Sequence, residues 1–196
     1  MYGEEILRKK AQPVQAMHAD IVKLIYDMFE TMHNAHGIGL AANQVGAQHR
    51  VIVIDISGIE DDEEDEGAER REDHRTSPGL PTQLALINPE VVLQEGMWNM
   101  EEGCLSIPDV RADVKRAASI RVRYHDTNFE KQELIVDGLL ARVILHEVDH
   151  LDGVLFIDHI SKTERGLLSA KLRKIKKGAI ETEYPVKSSA EDSGSS

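Results

Sequence analysis

Cysteine, aromatic residues and long apolar runs are all scarce in this chain, and each scarcity excludes a class of protein. The single cysteine rules out an intramolecular disulfide and therefore a disulfide-stapled secreted domain. No apolar run reaches the roughly 18 residues of a membrane span, and the opening MYGEEILRKKAQPV lacks the apolar stretch of a secretory signal. Aromatic residues make up 4% of the 196 residues, so aliphatic side chains must build the core. These features predict a cytoplasmic protein without membrane contact.

The excess of acidic charge is concentrated in one segment. Of the net charge of −12, residues 60–73 contribute −8, with ten acidic residues and two arginines. Like charges at this density repel each other and resist packing. The pattern predicts a solvated, mobile acidic insert over residues 58–82, and the alternative is a binding site for a basic partner.

The opposite charge dominates near the end of the chain. Between Gly166 and Gly178 lie five basic residues and no acidic one, and three aliphatic residues recur there at helical spacing. This predicts a basic amphipathic helix over residues 166–184, whose cationic face is either solvated or in contact with an anionic surface such as nucleic acid. The serine-rich residues 185–196 are predicted to be disordered.

Hydrophobic periodicity predicts an α+β fold. Apolar stripes predict helices over Ala19–Asn34 and about Gly138–Leu151. The runs that predict strands are Arg50–Ile56, Gln83–Asn88 (ended by Pro89), Val91–Glu95, Met97–Met100, Ile120–Tyr124 and Lys131–Val136. Because strands and helices do not alternate regularly, we expect antiparallel strands around a central helix, with further helices toward the N- and C-termini.

The strongest chemical signal is HEVDH at residues 146–150, on the predicted central helix. His146 and His150 are four positions apart, so both imidazoles leave the same helix face and can bind one cation. Glu147 can reach a water molecule at the metal as a general base without being a ligand itself. Two histidines leave a catalytic metal site one protein ligand short.

The only cysteine, Cys104, is the leading candidate for the third ligand. It follows Gly103, whose missing side chain permits close approach, and precedes Leu105, whose backbone N–H would point toward whatever Cys104 binds. A thiolate with two imidazoles suits Fe(II), Zn or Co(II) and disfavours Mg or Ca. The alternative for Cys104 is a small buried hydrophobic residue.

A glycine-bearing loop, GIGLAANQ at residues 37–44, is the third feature. Gly37 and Gly39 allow unusual dihedrals and leave backbone groups free to pair with an extended ligand. Gln44 carries an amide that can stabilise an oxyanion, and the alternative is a glutamine that satisfies buried backbone groups.

In order and spacing, GIGLAANQ, EGCLS (102–106) and HEVDH resemble the three motifs of peptide deformylases. The resemblance extends from LRKKAQPV (7–14) to LFIDHIS (155–161), and it implies a single catalytic domain over residues 1–165. It implies a cytoplasmic hydrolase that removes the formyl group from the N-terminal formyl-methionine of new polypeptides and releases formate. Fe(II) is the metal it implies, with Zn, Ni or Co(II) as possible substitutes.

The resemblance also implies the metal ligands and the catalytic groups. Cys104, His146 and His150 would hold the metal. Glu147 would take a proton from water and pass it to the leaving amine. The side-chain amide of Gln44 and the backbone N–H of Leu105 would stabilise the oxyanion.

Substrate contacts follow from the same resemblance. The peptide would pair with the backbone of Ile38 and Gly39 as an added strand. The other residues implied on this side are Glu102 (paired with Arg116 beneath the site), Gly103, Arg111 and Val143. The basic helix is a candidate for docking on ribosomal RNA, and no specific DNA binding is expected.

Two positions depart from the family pattern, and two other functions were considered. Leu145 stands where glutamine is common, and Arg142 where an apolar pocket residue is common. A different HExxH metallopeptidase could use Glu164 or His159 as its third ligand, but EGCLS and GIGLAANQ would then be unexplained. An inactive binding module, using the acidic insert or the basic helix, is the other alternative.

Overall fold

The computed structural model describes residues 1–59 and 79–180, together with Thr182 and Tyr184. Most of the predicted acidic insert (60–78) and the predicted disordered tail (185–196) lie outside the described residues. In chain order the elements are α1 (Ala19–Asn34), β1 (Gly39–Ala41), β2 (Val51–Asp55), β3 (Gln83–Glu95), β4 (Trp98–Cys104), β5 (Ile107–Arg116), β6 (Ser119–His125), β7 (Lys131–Asp137), α2 (Gly138–Leu151) and α3 (Lys162–Lys176). Within these described ranges, no helix is long and apolar enough to cross a membrane.

A five-stranded antiparallel sheet forms the centre of the molecule, in the strand order β1-β2-β3-β6-β7. A separate antiparallel pair is formed by β4 and β5. This architecture confirms the predicted α+β class. Strand β2, with the sequence VIVID, is buried on both faces because α1 packs on one side of the sheet and α2 on the other. A strand covered on both sides reads as a continuous apolar run rather than an alternating one.

Helix α2 is central, as predicted, and its residues match the predicted range. One face packs against the sheet through Leu140, Ile144 and Leu151. The opposite side meets the β4–β5 pair, where Arg142 donates to the carbonyls of Trp98 (3.0 Å) and Val114 (3.1 Å). The HEVDH motif therefore lies between the two sheets, where residues from both can reach it.

The prediction that Pro89 ends its strand is wrong. Strand β3 continues to Glu95, and its register with β6 shifts between Ile87 and Glu90. Pro89 lies inside this irregularity, where no ladder hydrogen bond requires its missing N–H. Asn88 has a positive φ of 54° and pairs with the backbone of Val14 through two hydrogen bonds of 2.8 Å.

The C-terminal helix differs from its predicted range of 166–184 at both ends. It begins four residues earlier, at Lys162, because Ser161 and Glu164 form a capping box. It ends at Lys176, shortly before Gly178, which adopts a φ of 66° that continues no helix. Its apolar side packs on β5, and its basic residues are exposed.

Candidate active site

Three predicted metal ligands meet where α2 faces the end of β4. One ligand atom from each of Cys104, His146 and His150 lies within 4.8 Å of the other two. The Sγ atom of Cys104 is 3.1 Å from Nε2 of His150. In the part of the chain that the structure describes, this is the only group of three or more such side chains that could hold a metal ion.

The alternative third ligands lie elsewhere. His159 is near the surface, with its Nε2 atom 2.6 Å from Oδ2 of Asp149. Glu164 is exposed at the start of α3, where its carboxylate accepts the N–H of Ser161 at 2.9 Å. Neither residue belongs to the cluster, so the geometry favours Cys104 over the ligand sets of other HExxH metallopeptidases.

The surroundings of Cys104 favour its thiolate form. Burial alone would raise the pKa of this thiol, but the imidazoles of His150 and His146 outweigh that effect and lower the pKa well below its ordinary value. The backbone N–H of Ser106 donates to Sγ at 3.4 Å. A thiolate beside two imidazoles fits a divalent transition metal and is a poor site for Mg or Ca.

Glu102 orients the first histidine from beneath. Its Oε2 atom is 3.0 Å from Nδ1 of His146, which leaves Nε2 of that imidazole for a metal. Arg116 donates to both oxygens of Glu102, at 2.6 and 3.1 Å, and Arg142 donates to Oε1 at 2.5 Å. Burial alone would raise the pKa of Glu102, but the hydrogen bonds from His146 and Arg116 hold it well below its ordinary value.

Arg142, the departure from the family pattern at an apolar pocket position, lines the cavity and also reaches beneath the site. Its guanidinium is buried, reaches Glu102, and lies 4.5 Å over the ring of Trp98. The available signal was a charge within the apolar stripe of α2, one turn before His146.

Glu147 differs from Glu102 in having little to hold it. Its carboxylate is buried, and Oε2 has no hydrogen-bond partner among the described residues. Burial raises the pKa of this carboxyl, although the neighbouring histidines partly oppose the effect. A carboxylate whose pKa is raised is a stronger base than an ordinary carboxylate.

Gly39 is required beside Glu147, for a reason other than the expected one. We expected unusual dihedrals at Gly37 and Gly39, but neither has a positive φ. A Cβ atom on Gly39 would lie 2.6 Å from Oε1 of Glu147 and 2.7 Å from Cγ1 of Val143. Close approach of α2 therefore explains this glycine.

Gln44 makes a backbone contact, which is the alternative that the sequence left open beside an oxyanion role. Its Oε1 atom accepts the backbone N–H of Ala41 at 2.7 Å, so the amide does satisfy a backbone group. This bond turns Nε2 toward the site, where it lies 3.2 Å from Oγ of Ser106 and 3.6 Å from Sγ of Cys104. The side-chain amide N–H is thereby held beside the three candidate metal ligands.

A cavity of about 920 Å³ opens over the cluster. Strand β1 borders it, and among the described residues β1 pairs only with β2, so its other edge faces the cavity. The expected substrate residues that line the cavity are Ile38, Gly39, Glu102, Gly103, Arg111 and Val143. Thr182 and Tyr184 also line the cavity. The sequence did not indicate them, because no local pattern links the end of the chain to this site.

Gly103, Arg111 and Leu145 have different surroundings. At Gly103, a Cβ atom would meet nothing nearer than 3.6 Å, so the expected close approach there is wrong, and the glycine instead leaves room in the cavity. The side chain of Arg111 is 69% exposed, and its guanidinium is 3.6 Å from the carboxylate of Glu101. Leu145 packs in the core beside the sheet and not in the cavity.

Comparison with known proteins agrees with this geometry. The polypeptide deformylase family model matches residues 1–166. A peptide deformylase of Salinibacter ruber is 46% identical over 187 residues, which covers 95% of this chain and 91% of the relative. The crystal structure of a peptide deformylase from Legionella pneumophila superposes with a TM-score of 0.73 at 38% identity, covering 90% of this chain and 92% of the other.

A further solved relative bears on the cavity. It is a class I type b peptide deformylase from Acinetobacter baumannii with Met-Ala-Ser bound, which superposes with a TM-score of 0.67 at 34% identity and covers 81% of this chain and 94% of the other. The three matched motifs, the shared fold and this extent of sequence identity lead to one conclusion. The chain belongs to the polypeptide deformylase family.

Proposed function

We propose that the chain removes the N-formyl group from the N-terminal formyl-methionine of newly made polypeptides and releases formate. Membership of the polypeptide deformylase family supports this reaction. The observation that carries it is the convergence of Cys104, His146 and His150 beside the cavity, with the carboxylate of Glu147 next to them and its Oε2 atom without a partner among the described residues. The enzyme is a metal-dependent hydrolase of a linear amide.

The proposed metal ligands are Cys104, His146 and His150, and the proposed metal is Fe(II), with Zn, Ni or Co(II) as substitutes. When bound, such a metal supplies Lewis acidity to the attacking water and to the formyl oxygen. The donor set supports the assignment, because thiolate and imidazole suit these ions. Glu102 holds His146 in the orientation that a ligand needs.

Glu147 is the proposed general base and acid. It takes a proton from the water that attacks the formyl carbon and passes it to the nitrogen of the leaving amine. The raised pKa of this carboxyl supports both halves of the transfer. Close packing of Gly39 against the carboxylate of Glu147 keeps that carboxylate near the reacting atoms.

The oxyanion that forms on the formyl oxygen is proposed to meet two N–H donors. One is Nε2 of Gln44, which the bond between Ala41 and Oε1 orients. The other is the backbone N–H of Leu105, in the turn between β4 and β5. Donors fixed in advance stabilise developing charge more than mobile ones do.

The peptide is proposed to bind along the free edge of β1. The backbone of Ile38 and Gly39 would pair with it as an added strand, and the methionine side chain would enter the cavity beside Val143. The Met-Ala-Ser complex of the Acinetobacter relative supports a short extended ligand in this cavity. Arg111, at the rim, is proposed to contact the peptide beyond methionine.

A cytoplasmic location and a ribosomal contact complete the proposal. The basic residues of α3 and its end, Lys171 to Lys177, are exposed and could dock on ribosomal RNA. The Nζ atom of Lys171 donates to the carbonyl of Asp109. The other four cations are therefore the ones to substitute. Reversing the charge of Arg173, Lys174, Lys176 and Lys177 should reduce co-sedimentation with ribosomes, and unchanged co-sedimentation would remove the contact.

The decisive experiment uses anaerobic, Fe(II)-loaded protein with formyl-Met-Ala-Ser. Formate and the new free amine should appear in equal amounts, with the peptide backbone intact by mass spectrometry. The matched control is Cys104→Ala, which should neither retain the metal nor turn over. A cleaved backbone without formate would overturn the proposal in favour of a metallopeptidase.

A further inference from the structure

The segment that follows α3 returns to the active site. The N–H groups of Gly178 and Ala179 close on the carbonyls of Ile175 and Lys174, and the positive φ of Gly178 reverses the chain direction. Ile180 then packs against the apolar cluster under β5. Two residues further along, the chain reaches the cavity.

Tyr184 makes a specific contact there. Its phenol hydroxyl donates to the backbone carbonyl of Leu105 at 2.8 Å. The hydroxyl of Thr182 donates to the carbonyl of Tyr184 at 2.7 Å. Partial burial raises the pKa of Tyr184 to about 12, so the hydroxyl keeps its proton throughout the neutral range.

The turn that receives this contact is irregular and is held from outside. The register of β4 against β5 shifts between Gly103 and Cys104, and beyond this shift one pair, Cys104 with Ile107, closes the turn. The carbonyl of Ser106 accepts the N–H of Tyr2 at 2.8 Å, and its hydroxyl accepts from Gln44 at 3.2 Å. Among the described residues, the hydrogen bond from Tyr184 is the one that the carbonyl of Leu105 accepts.

We propose that Tyr184 is a positioning residue for deformylation, because its hydrogen bond to the carbonyl of Leu105 restrains the backbone angles of Leu105 and, through them, the direction of the N–H that faces the oxyanion. The inference rests on the role proposed above for that N–H. An oxyanion forms only as the reaction proceeds, so a loosened donor weakens binding of the transition state more than binding of the substrate. The loss therefore falls on kcat and not on KM.

The test is Tyr184→Phe, which removes only the hydroxyl. The matched control is Tyr26→Phe, at a tyrosine that is 73% exposed on α1. Loss of one hydrogen bond predicts a fall in kcat of about 3- to 10-fold for Tyr184→Phe, with KM and metal content unchanged. Tyr26→Phe should change neither constant. A kcat equal to that of the control would overturn the proposal, as would a raised KM with an unchanged kcat, which would make Tyr184 a cavity wall only.

A second measurement does not depend on turnover. Amide hydrogen exchange of metal-free protein should speed up in the peptide that contains residues 104–106 when Tyr184 is changed to Phe, by a similar factor of about 3 to 10. Peptides from α1 should exchange as in the unchanged protein. If exchange near Leu105 stays the same, the hydrogen bond from Tyr184 does not restrain the turn, and the proposal is wrong. If exchange speeds up but the unchanged protein releases no formate, Tyr184 does restrain the turn, and it is the proposed function that fails.

Discussion

Two buried glutamates flank His146, and their surroundings differ. Glu102 accepts hydrogen bonds from two arginines and lies against a histidine nitrogen, whereas Oε2 of Glu147 has no partner among the residues described. The pKa of Glu102 is lowered and that of Glu147 is raised. Burial is common to both, so burial alone does not set a carboxylate's role. Hydrogen bonds from His146 and Arg116 outweigh burial at Glu102, whereas burial outweighs the nearby histidines at Glu147.

The two histidines of the motif show the same contrast. His146 is oriented by a charged partner at Nδ1. Nδ1 of His150 has no partner among the described residues, and His150 is held through its backbone carbonyl, which accepts from the side chain of Asn43. His146 is thus oriented by a carboxylate at Nδ1, whereas His150 has a neutral amide on its backbone carbonyl and Sγ of Cys104 at 3.1 Å from its Nε2 atom.

The largest effect is expected on the Glu147 side, and on activity alone. Glu147→Gln keeps the shape of the side chain but removes its basicity, so kcat should fall about 10²- to 10⁴-fold. Metal content, measured by elemental analysis, should stay equal to that of the unchanged protein. If Glu147→Gln loses its metal as fully as Cys104→Ala does, the contrast between support and proton carrier is wrong.

The next effect is expected on the Glu102 side, and on stability. Glu102→Gln leaves Arg116 and Arg142 buried with less compensating charge, which should cost about 3–5 kcal/mol of unfolding free energy. Metal affinity should fall about 10- to 100-fold, because His146 loses its orienting partner. Urea unfolding and competition with a chelator measure the two quantities. Equal stability of Glu102→Gln and Glu147→Gln would erase the distinction between the sites.

A smaller loss is expected for Arg142→Met, which removes one of the two arginines on Glu102. Arg116 and His146 still neutralise the carboxylate, so the cost should be about 1–3 kcal/mol, from lost hydrogen bonds and the contact with Trp98. The matched control is Arg123→Met, where an exposed arginine pairs with Glu133 at 2.8 Å. Its cost should be clearly smaller than that of Arg142→Met, because solvent screens an exposed ion pair. Equal losses by urea unfolding would show that burial adds nothing to the Arg142 contact.

The smallest effect concerns a partly exposed carboxylate, Asp158, which accepts from Arg8, Arg165 and the N–H of Leu155. Burial alone would raise its pKa, but the bonds from Arg8 and Leu155 lower it. Its contribution is therefore present above the ordinary pKa and is lost as the pH falls through the lowered value. Asp158→Asn should cost about 0.5–1 kcal/mol at pH 7, and the difference should shrink below about pH 4. A difference that does not shrink at all as the pH falls below about 4 would contradict this ionic origin.

Local patterns predicted the two amphipathic helices and the HEVDH face, because helical periodicity and side-chain direction are set within a few residues. They failed where distant segments decide the outcome. The bulge at Pro89 depends on Asn88 reaching Val14, and the role of Arg142 depends on β4 and β5 supplying acceptors. The contact between Tyr184 and Leu105 spans 79 positions and has no sequence pattern at all.

The free edge of β1 has a consequence for self-association of the protein. An exposed strand edge is a hazard in most proteins, because it can pair with another sheet and start aggregation. Here the strand is three residues long, and its first residue, Gly39, lines the cavity. So short an edge offers another folded sheet few backbone groups with which to pair.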